Sequence, residues 1–491
     1  MTARRVLSLV AATALTMTAF AVPTAPAAAA GPAAATTFKV TKKADTNDGS
    51  CNRDCSLREA VVAANARPGR DTIKVPAGTY KLTSPQGDID IESELSMEAV
   101  RGTAVIDGQN NDRIFEITAS GKAFLSGLKI VDGRVQNGQG GGILNAGFVY
   151  ITHSTITGNV ANTNGGGIAN NGGTVALRFT TVSDNSAAYG GGLYNEGGRM
   201  EVVTSLLWKN FASSTGGGLY NVAGEAHFRN STVSANRSNF SGGGIYQISE
   251  EWVTIVSSTI IGNSSDVDNN NAGDGGGVFV GGGANAGGVL ISNSMLFGNA
   301  DGGAPSHPNC SGGPIDSQGH NVIATHLGCL VALEQSDVNG AAAIQPLADN
   351  GGPTRTYALP KNSLAVGHGP TGQVACKGTD QRGVPRTGAC DTGAYQLERC
   401  DGAVINVVGT PAADQLLGSR AADGILALGG ADRVEAAGGA DRVCGGGGGD
   451  KLFGGTGRDL LDGAGGNDVL DGGPGKDRCR GGAGKDRTRS C

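Results

Sequence analysis

Triple glycines recur along the middle of this 491-residue chain, beginning at Gly140, Gly165, Gly190, Gly216, Gly242 and Gly275. The first five stand 25 or 26 residues apart and the last gap is 33. Each triplet leads into an apolar pair and usually a side-chain amide, as in Ile143-Leu144-Asn145, Leu193-Tyr194-Asn195 and Ile245-Tyr246-Gln247. A second mark runs out of phase with the first: STITGN ending at Asn159, then equivalents ending at Asn185, Asn210, Asn236, Asn263 and Asn299. Between the two marks lies a third alternating segment, such as Phe148 to His153. Three short strands and three tight turns per repeat make one coil that cannot bury its apolar side alone and must stack on the next. The fold class is therefore all-β, a right-handed parallel β-helix. Six coils at about 4.8 Å each give roughly 30 Å of rod. The longer last gap predicts an insertion around Asp266 to Asp274 that loops out. The Asn at the end of each second mark reads as a stacked structural ladder, placed there because Asn tolerates left-handed turns.

Glycine numbers 85 and aromatics only 4%, against an ordinary glycine share of about 7%, which fits a turn after every short strand. No strict triplet makes the chain collagen-like. The net charge of −6 argues against a nucleic-acid partner. Arg4 and Arg5, an apolar stretch from Val6 to Val22 and small residues from Ala27 to Ala30 predict an export signal over residues 1–30. Val6-Leu7-Ser8 matches the twin-arginine pattern poorly, so general secretion is favoured. No later segment predicts a membrane span, and the protein is expected to be secreted. All ten cysteines follow that signal, and none has zinc-site spacing. They form local couples, Cys51 with Cys55, Cys310 with Cys329 and Cys376 with Cys390, which predict disulfides in an oxidising compartment. Cys400, Cys444, Cys479 and Cys491 leave three pairings open.

An open solenoid needs capped ends. Asp54 is placed to cap a short helix in which Leu57, Ala60, Val61 and Ala64 share one face, ended by Pro68-Gly69. Within it, Cys55-Ser56-Leu57-Arg58-Glu59-Ala60 resembles the motif of the CSLREA-domain family of secreted β-helix proteins, with polymorphic outer-membrane repeats as relatives. The run from Pro346 to Thr354, with Thr379-Asp380-Gln381-Arg382-Gly383 and Cys390 to Tyr395, resembles the choice-of-anchor type end region of such proteins. The resemblance covers about residues 38 to 398 and implies the fold but no agreed activity. The organisation expected is a signal over 1–30, cap and first coils over 31–135, regular coils over 136–300, the end of the rod over 301–398 and a tail over 399–491.

In that tail the period becomes nine. Asp recurs at 414, 423, 432, 441, 450, 459, 468, 477 and 486, and five units from Gly445 onward fit GGxGxDxUx closely. This resembles the repeats-in-toxin (hemolysin-type) calcium-binding family, whose units wind a parallel β-roll. Glycines permit the tight turns that aim carbonyls inward, and each Asp adds a carboxylate to an oxygen shell of the kind calcium takes. Two units make one turn, so same-side aspartates are eighteen apart. The candidate Ca2+ ligands are Asp432, Asp441, Asp450, Asp459, Asp468, Asp477 and Asp486. Units before Gly445 have lost glycines, with Ala412, Ala413, Ala421 and Ala422 in their turns. Position eight is apolar from Leu416 to Leu470 and fails at Cys479 and Thr488. Residues 401–491 are expected to fold only with calcium.

β-Helices also carry pectate lyases and polygalacturonases, so an enzyme is weighed. Glycoside hydrolysis wants two carboxylates about 5 to 9.5 Å apart. Glu196 and Glu225 are the best such pair, and Gly367-His368-Gly369 reads as a loop beyond the repeats. The reading favoured is a non-catalytic adhesion or binding protein that meets an extracellular glycan or protein surface. The alternative is a polysaccharide lyase or glycoside hydrolase. Strand alternation turns Tyr194, Tyr220 and Tyr246 outward as a stacked ledge if Leu193, Leu219 and Ile245 point inward, and the alternative is that the rings are interior packing or a weakly exposed ladder.

Overall fold

The structure, a computed structural model, describes residues 35–491 apart from 84–85, 283–286, 325–327, 371–375, 377, 387–389, 398, 401–402 and 411. The expected export signal at residues 1–30 lies outside the described residues.

The middle of the chain winds as a parallel β-helix. Each triple glycine leads into a strand of a glycine face, such as Ile168–Asn171, Leu193–Glu196 and Leu219–Asn221. A long face follows, with Thr174–Arg178, Gly198–Val203 and Gly224–Arg229. The STxxxN marks supply an asparagine face, with Thr181–Ser183, Leu206–Trp208 and Thr232–Ser234. Equivalent residues pair one coil apart, as in Leu193 with Leu219 and Leu219 with Ile245. The coils hold four ladders where three were expected. Two-residue strands follow each Asn, including Val160–Ala161, Ser186–Ala187 and Phe211–Ala212, and they form a separate sheet. The 33-residue gap is spanned without breaking register, because Ile245 pairs with Val278. The inserted loop is held from within by buried Asp266, whose carboxylate accepts the N–H groups of Asn270 and Asn271.

Glycine is needed in the triplet for two reasons. Gly190 has φ of 64°, and a Cβ on Gly191 would stand 2.3 Å from the Phe211 carbonyl oxygen. The first glycine supplies a left-handed turn and the second a close approach of backbones.

The asparagines do form a buried ladder. Asn159 donates to Asn185 at 3.0 Å, Asn185 to Asn210 at 3.0 Å and Asn210 to Asn236 at 2.9 Å, continuing through Asn263 and Asn299 to Asn309. The left-handed residue is the one before each Asn, for example Asp184 at φ 54° and Lys209 at φ 56°. The amide ladder, not tolerance of positive φ, is thus what asks for Asn. A second ladder runs through Asn145, Asn170, Asn195, Asn221 and Gln247.

At the N-terminal end a helix, Leu57–Asn65, covers the first coils with Leu57, Ala60, Val61 and Ala64 buried. Its cap is Ser56 and not Asp54. Ser56 and Glu59 form a reciprocal capping box, the sequence signature S-x-x-E, while Asp54 pairs with Lys42 on the surface. At the other end, residues after the strand Val338–Asn339 fold back along the asparagine face. Gln381 accepts from Thr232 at 2.6 Å, Tyr357 meets Ser234 at 2.6 Å and the Ala394 N–H donates to Thr259. Buried Arg382 and Asp380 pair at 2.8 Å within that segment.

All five disulfides form. Cys51–Cys55, Cys310–Cys329 and Cys376–Cys390 are as expected, and the open four resolve as Cys400–Cys444 and Cys479–Cys491. No helix among the described residues is long and apolar enough to cross a membrane.

Candidate calcium roll and surface groove

The tail is a roll of two parallel five-stranded sheets. One contains Gly424–Leu426, Arg442–Gly447 and Leu460–Gly465, the other Arg433–Glu435, Lys451–Phe453 and Val469–Asp471. Strand partners are eighteen residues apart, as in Leu452 with Leu470, so two nonapeptides make one turn. Ile425, Val434, Val443, Leu452, Leu461 and Leu470 are buried between the sheets, with Ala427 and Ala436 beside them. Leu416 and Cys479 are only partly buried against this core. Cys479 instead closes the last turn through its disulfide to Cys491.

The aspartates line up in two rows, Asp432, Asp450, Asp468 and Asp486 in one and Asp441, Asp459 and Asp477 in the other. In each row the Oδ1 of one Asp accepts the backbone N–H of the Asp eighteen before it, at 2.8 to 3.0 Å. The second oxygen is left bare. The Oδ2 atoms of Asp432, Asp441, Asp450, Asp459, Asp468 and Asp477 are buried and have no hydrogen-bond partner. Buried anionic oxygens of this kind are costly unless something positive meets them. Asp486, in the last of the nine units, is half-buried. The donor set, all oxygen with stacked carboxylates, fits calcium.

Burial pushes the Asp441 carboxyl from 3.8 up to about 6, with Asp459 and Asp423 adding to the rise and the Asp423 N–H opposing it. Asp450, Asp459 and Asp468 are raised from the same chief cause. A raised carboxyl favours the folded state when it is protonated, so this stability is present below pH about 4 and is lost as pH rises through about 6. In calcium-free buffer the roll is therefore expected to hold more β structure at pH 4.5 than at pH 7.5. Circular dichroism of the full chain checks this, and a roll more ordered at pH 7.5 would contradict it.

The rod carries a separate feature, a groove of about 740 Å³ on the long face. Arg178, Arg199, Glu201, His227 and Arg229 line it, with Thr379 of the end segment. Arg178 and Arg229 share one register line through Val203, so they stand two coil spacings of about 4.8 Å apart. Both are exposed. Arg199 bridges Glu201 at 2.7 Å and Glu225 at 2.8 Å, and His227 meets Glu225 at 3.2 Å.

The suggested carboxylate pair is not brought together as one site. Glu196 ends a glycine-face strand and accepts from the Tyr194 hydroxyl at 3.1 Å, while Glu225 belongs to the long face and the arginine cluster. His368 lies in a loop, where burial lowers the pKa of its ring. The tyrosines do stack, with centroids 5.6 Å apart for Tyr194 and Tyr220 and 5.0 Å for Tyr220 and Tyr246, and Phe279 extends the row. They do not form an open ledge, because Tyr194 is 6% exposed and the next two are half-buried.

Comparison with known proteins bears on the tail. Four overlapping stretches, residues 408–443, 417–452, 445–479 and 453–487, match the RTX calcium-binding nonapeptide repeat. The tail thus carries calcium-binding repeats of that type. A solved structure similar to this chain is a crystal structure of pectate lyase Pel9A, at 18% identity and a TM-score of 0.45 over 74% of this chain and 97% of that one. No curated protein matches the chain.

Proposed function

We propose that this is a secreted, non-catalytic binding protein whose rod meets an extracellular acidic glycan or protein surface and whose roll is ordered by calcium. The observation that carries the calcium assignment is the two rows of buried Oδ2 atoms, six in all, without donors. On this reading Asp432, Asp441, Asp450, Asp459, Asp468, Asp477 and Asp486 each contribute a carboxylate to Ca2+. Five disulfides and repeats of a kind found in exported proteins support an extracellular setting.

The groove supports a glycan as the ligand of the rod. Exposed guanidinium groups on alternate coils suit carboxylates or sulfates spaced along a chain. Adhesion to an acidic polysaccharide is the role this serves. The cap motif from Cys55 to Ala60 supports placing the chain with the CSLREA group, because every residue of it has a structural task in the helix cap.

A glycan array with and without calcium tests the binding role, with release of reducing or unsaturated ends followed in parallel. Retention of acidic glycans is expected to fall about tenfold in Arg178→Ala/Arg229→Ala. Equal retention by that variant removes the groove from the account. The mixed charge around Arg199, Glu201 and Glu225 keeps a second reading, a lyase or hydrolase, which release of chain ends would establish.

A further inference from the structure

The nine aspartates at the sixth position of the repeats are not equivalent. Six have a bare, buried Oδ2, but in the first two units that oxygen is filled by the protein. Asp414 Oδ2 accepts the hydroxyl and the N–H of Thr410, with the hydroxyl at 2.8 Å. Asp423 Oδ2 accepts the Ser419 N–H at 2.6 Å and its hydroxyl at 2.9 Å. Thr410 and Ser419 are the second residues of their nonapeptides. In the next six units that position is Leu428, Ala437, Gly446, Gly455, Ala464 and Gly473. None of those residues has a hydroxyl, and all six of their aspartates have the bare oxygen.

The backbone changes at the same place. Leu428, Ala437 and Ala464 take positive φ, as do Gly446, Gly455 and Gly473 at the same position. The fourth position is left-handed at Gly430, Gly439, Gly448, Gly457 and Gly466. Thr410, Ser419 and Ala421 are not among the positive-φ residues. The first two turns are therefore differently shaped, and they present donors to the carboxylate. The electrostatics follow. Burial alone would raise the Asp423 carboxyl, but hydrogen bonds from Asn406 and Ser419 outweigh it and hold the group below its ordinary value. Asn406 also closes the end of the row, donating to Asp423 Oδ1 at 2.5 Å and accepting the Gly424 N–H.

We infer that the second residue of each nonapeptide decides whether its turn takes a cation. The loops of the first two nonapeptides, closed by Thr410 and Ser419, take none, and the one turn of roll they make stays folded without calcium. This rests on the calcium reading of the later turns and adds a boundary to it, between Asp423 and Asp432. It also narrows the expectation that all of residues 401–491 fold only with calcium. The Cys400–Cys444 disulfide fastens this end of the roll to the chain leaving the rod. A prebuilt turn there offers free strand edges on which the following units can add as calcium binds.

The test uses the full chain. Calcium bound per chain, read by calorimetry, is expected to be unchanged in Asp414→Asn/Asp423→Asn and to fall in Asp450→Asn/Asp468→Asn. Hydrogen exchange in chelator is expected to show protected amides at residues 414–426 and unprotected ones at 448–487. In Thr410→Ala/Ser419→Ala the early protection should drop at least tenfold in chelator, whereas Ser419→Thr retains it. A lower calcium count in the Asp414/Asp423 variant overturns this inference alone, as does loss of protection at 414–426 together with the rest. No calcium binding by the unaltered chain would overturn the calcium reading and this inference together.

Discussion

Stripping calcium from the intact chain is expected to unfold the roll beyond its first turns while the β-helix stays protected. Each later nonapeptide buries one large apolar side chain from Val434 to Leu470, with only Ala427 and Ala436 beside them, roughly 1.5–3 kcal/mol of burial for each large one. Ordering its nine residues costs about 1–2 kcal/mol for each one. Six bare carboxylate oxygens add to the deficit, and the aspartates of each row repel one another. Cation binding then acts as folding energy, as in other metal-dependent small domains. Circular dichroism should show β structure gained between chelator and millimolar calcium, and exchange should place the gain at residues 427–491. Magnesium should substitute poorly, because it demands near-octahedral geometry and gives up water reluctantly. Replacing Asp450, Asp459 and Asp468 by Ala should raise the calcium midpoint about tenfold or more, since ligand charge sets affinity in oxygen sites. Identical spectra in chelator and in calcium would leave the aspartate rows without a working site.

The coil architecture was legible because its signal repeats. Triple glycines and STxxxN marks fix strand phase six times over, and the Asn ladder follows from their register. The fourth ladder was not legible, because strands such as Ser186–Ala187 are too short to show alternation. The helix cap was legible and misplaced. Ser56 with Glu59 spells a capping box, whereas Asp54, also a cap former by type, is held by Lys42 instead. The pairings of Cys400 with Cys444 and Cys479 with Cys491 depend on how turns stack, which spacing alone does not give. The groove arginines were missed for a similar reason. Arg178 and Arg229 each end a long-face strand, so their common outward row appears only once the coils are registered. In the roll, the period of nine gave the aspartate rows directly. The hydroxyls of Thr410 and Ser419 stand outside the repeat pattern, and their bonds to the carboxylates four residues on appear only in the folded turn.

The other large effect is expected at the N-terminal cap. Arg58 is buried and holds three segments at once. Its guanidinium pairs with Asp45 at 2.8 Å and donates to the Asp88 and Gly87 carbonyls at 2.6 and 2.7 Å. Asp45 in turn accepts the Thr83 N–H at 2.8 Å. Arg58→Ala leaves the Asp45 carboxylate, whose side chain is 2% exposed, without its charge partner and two carbonyls without donors. Breaking a buried pair from one side costs about 3–5 kcal/mol. The loss should appear first as exchange of the amides at residues 57–65, because the helix is what closes the open end of the solenoid. Lys122→Ala removes a largely exposed pair with Glu94 and should change stability by about 1 kcal/mol or less. Replacing both buried partners, as in Arg58→Met/Asp45→Leu, should cost less than Arg58→Ala, since no uncompensated charge remains. Thermal unfolding in calcium, with exchange at the helix, ranks the three. Equal unfolding temperatures for Arg58→Ala and Lys122→Ala would mean that the cap is held by its apolar face alone.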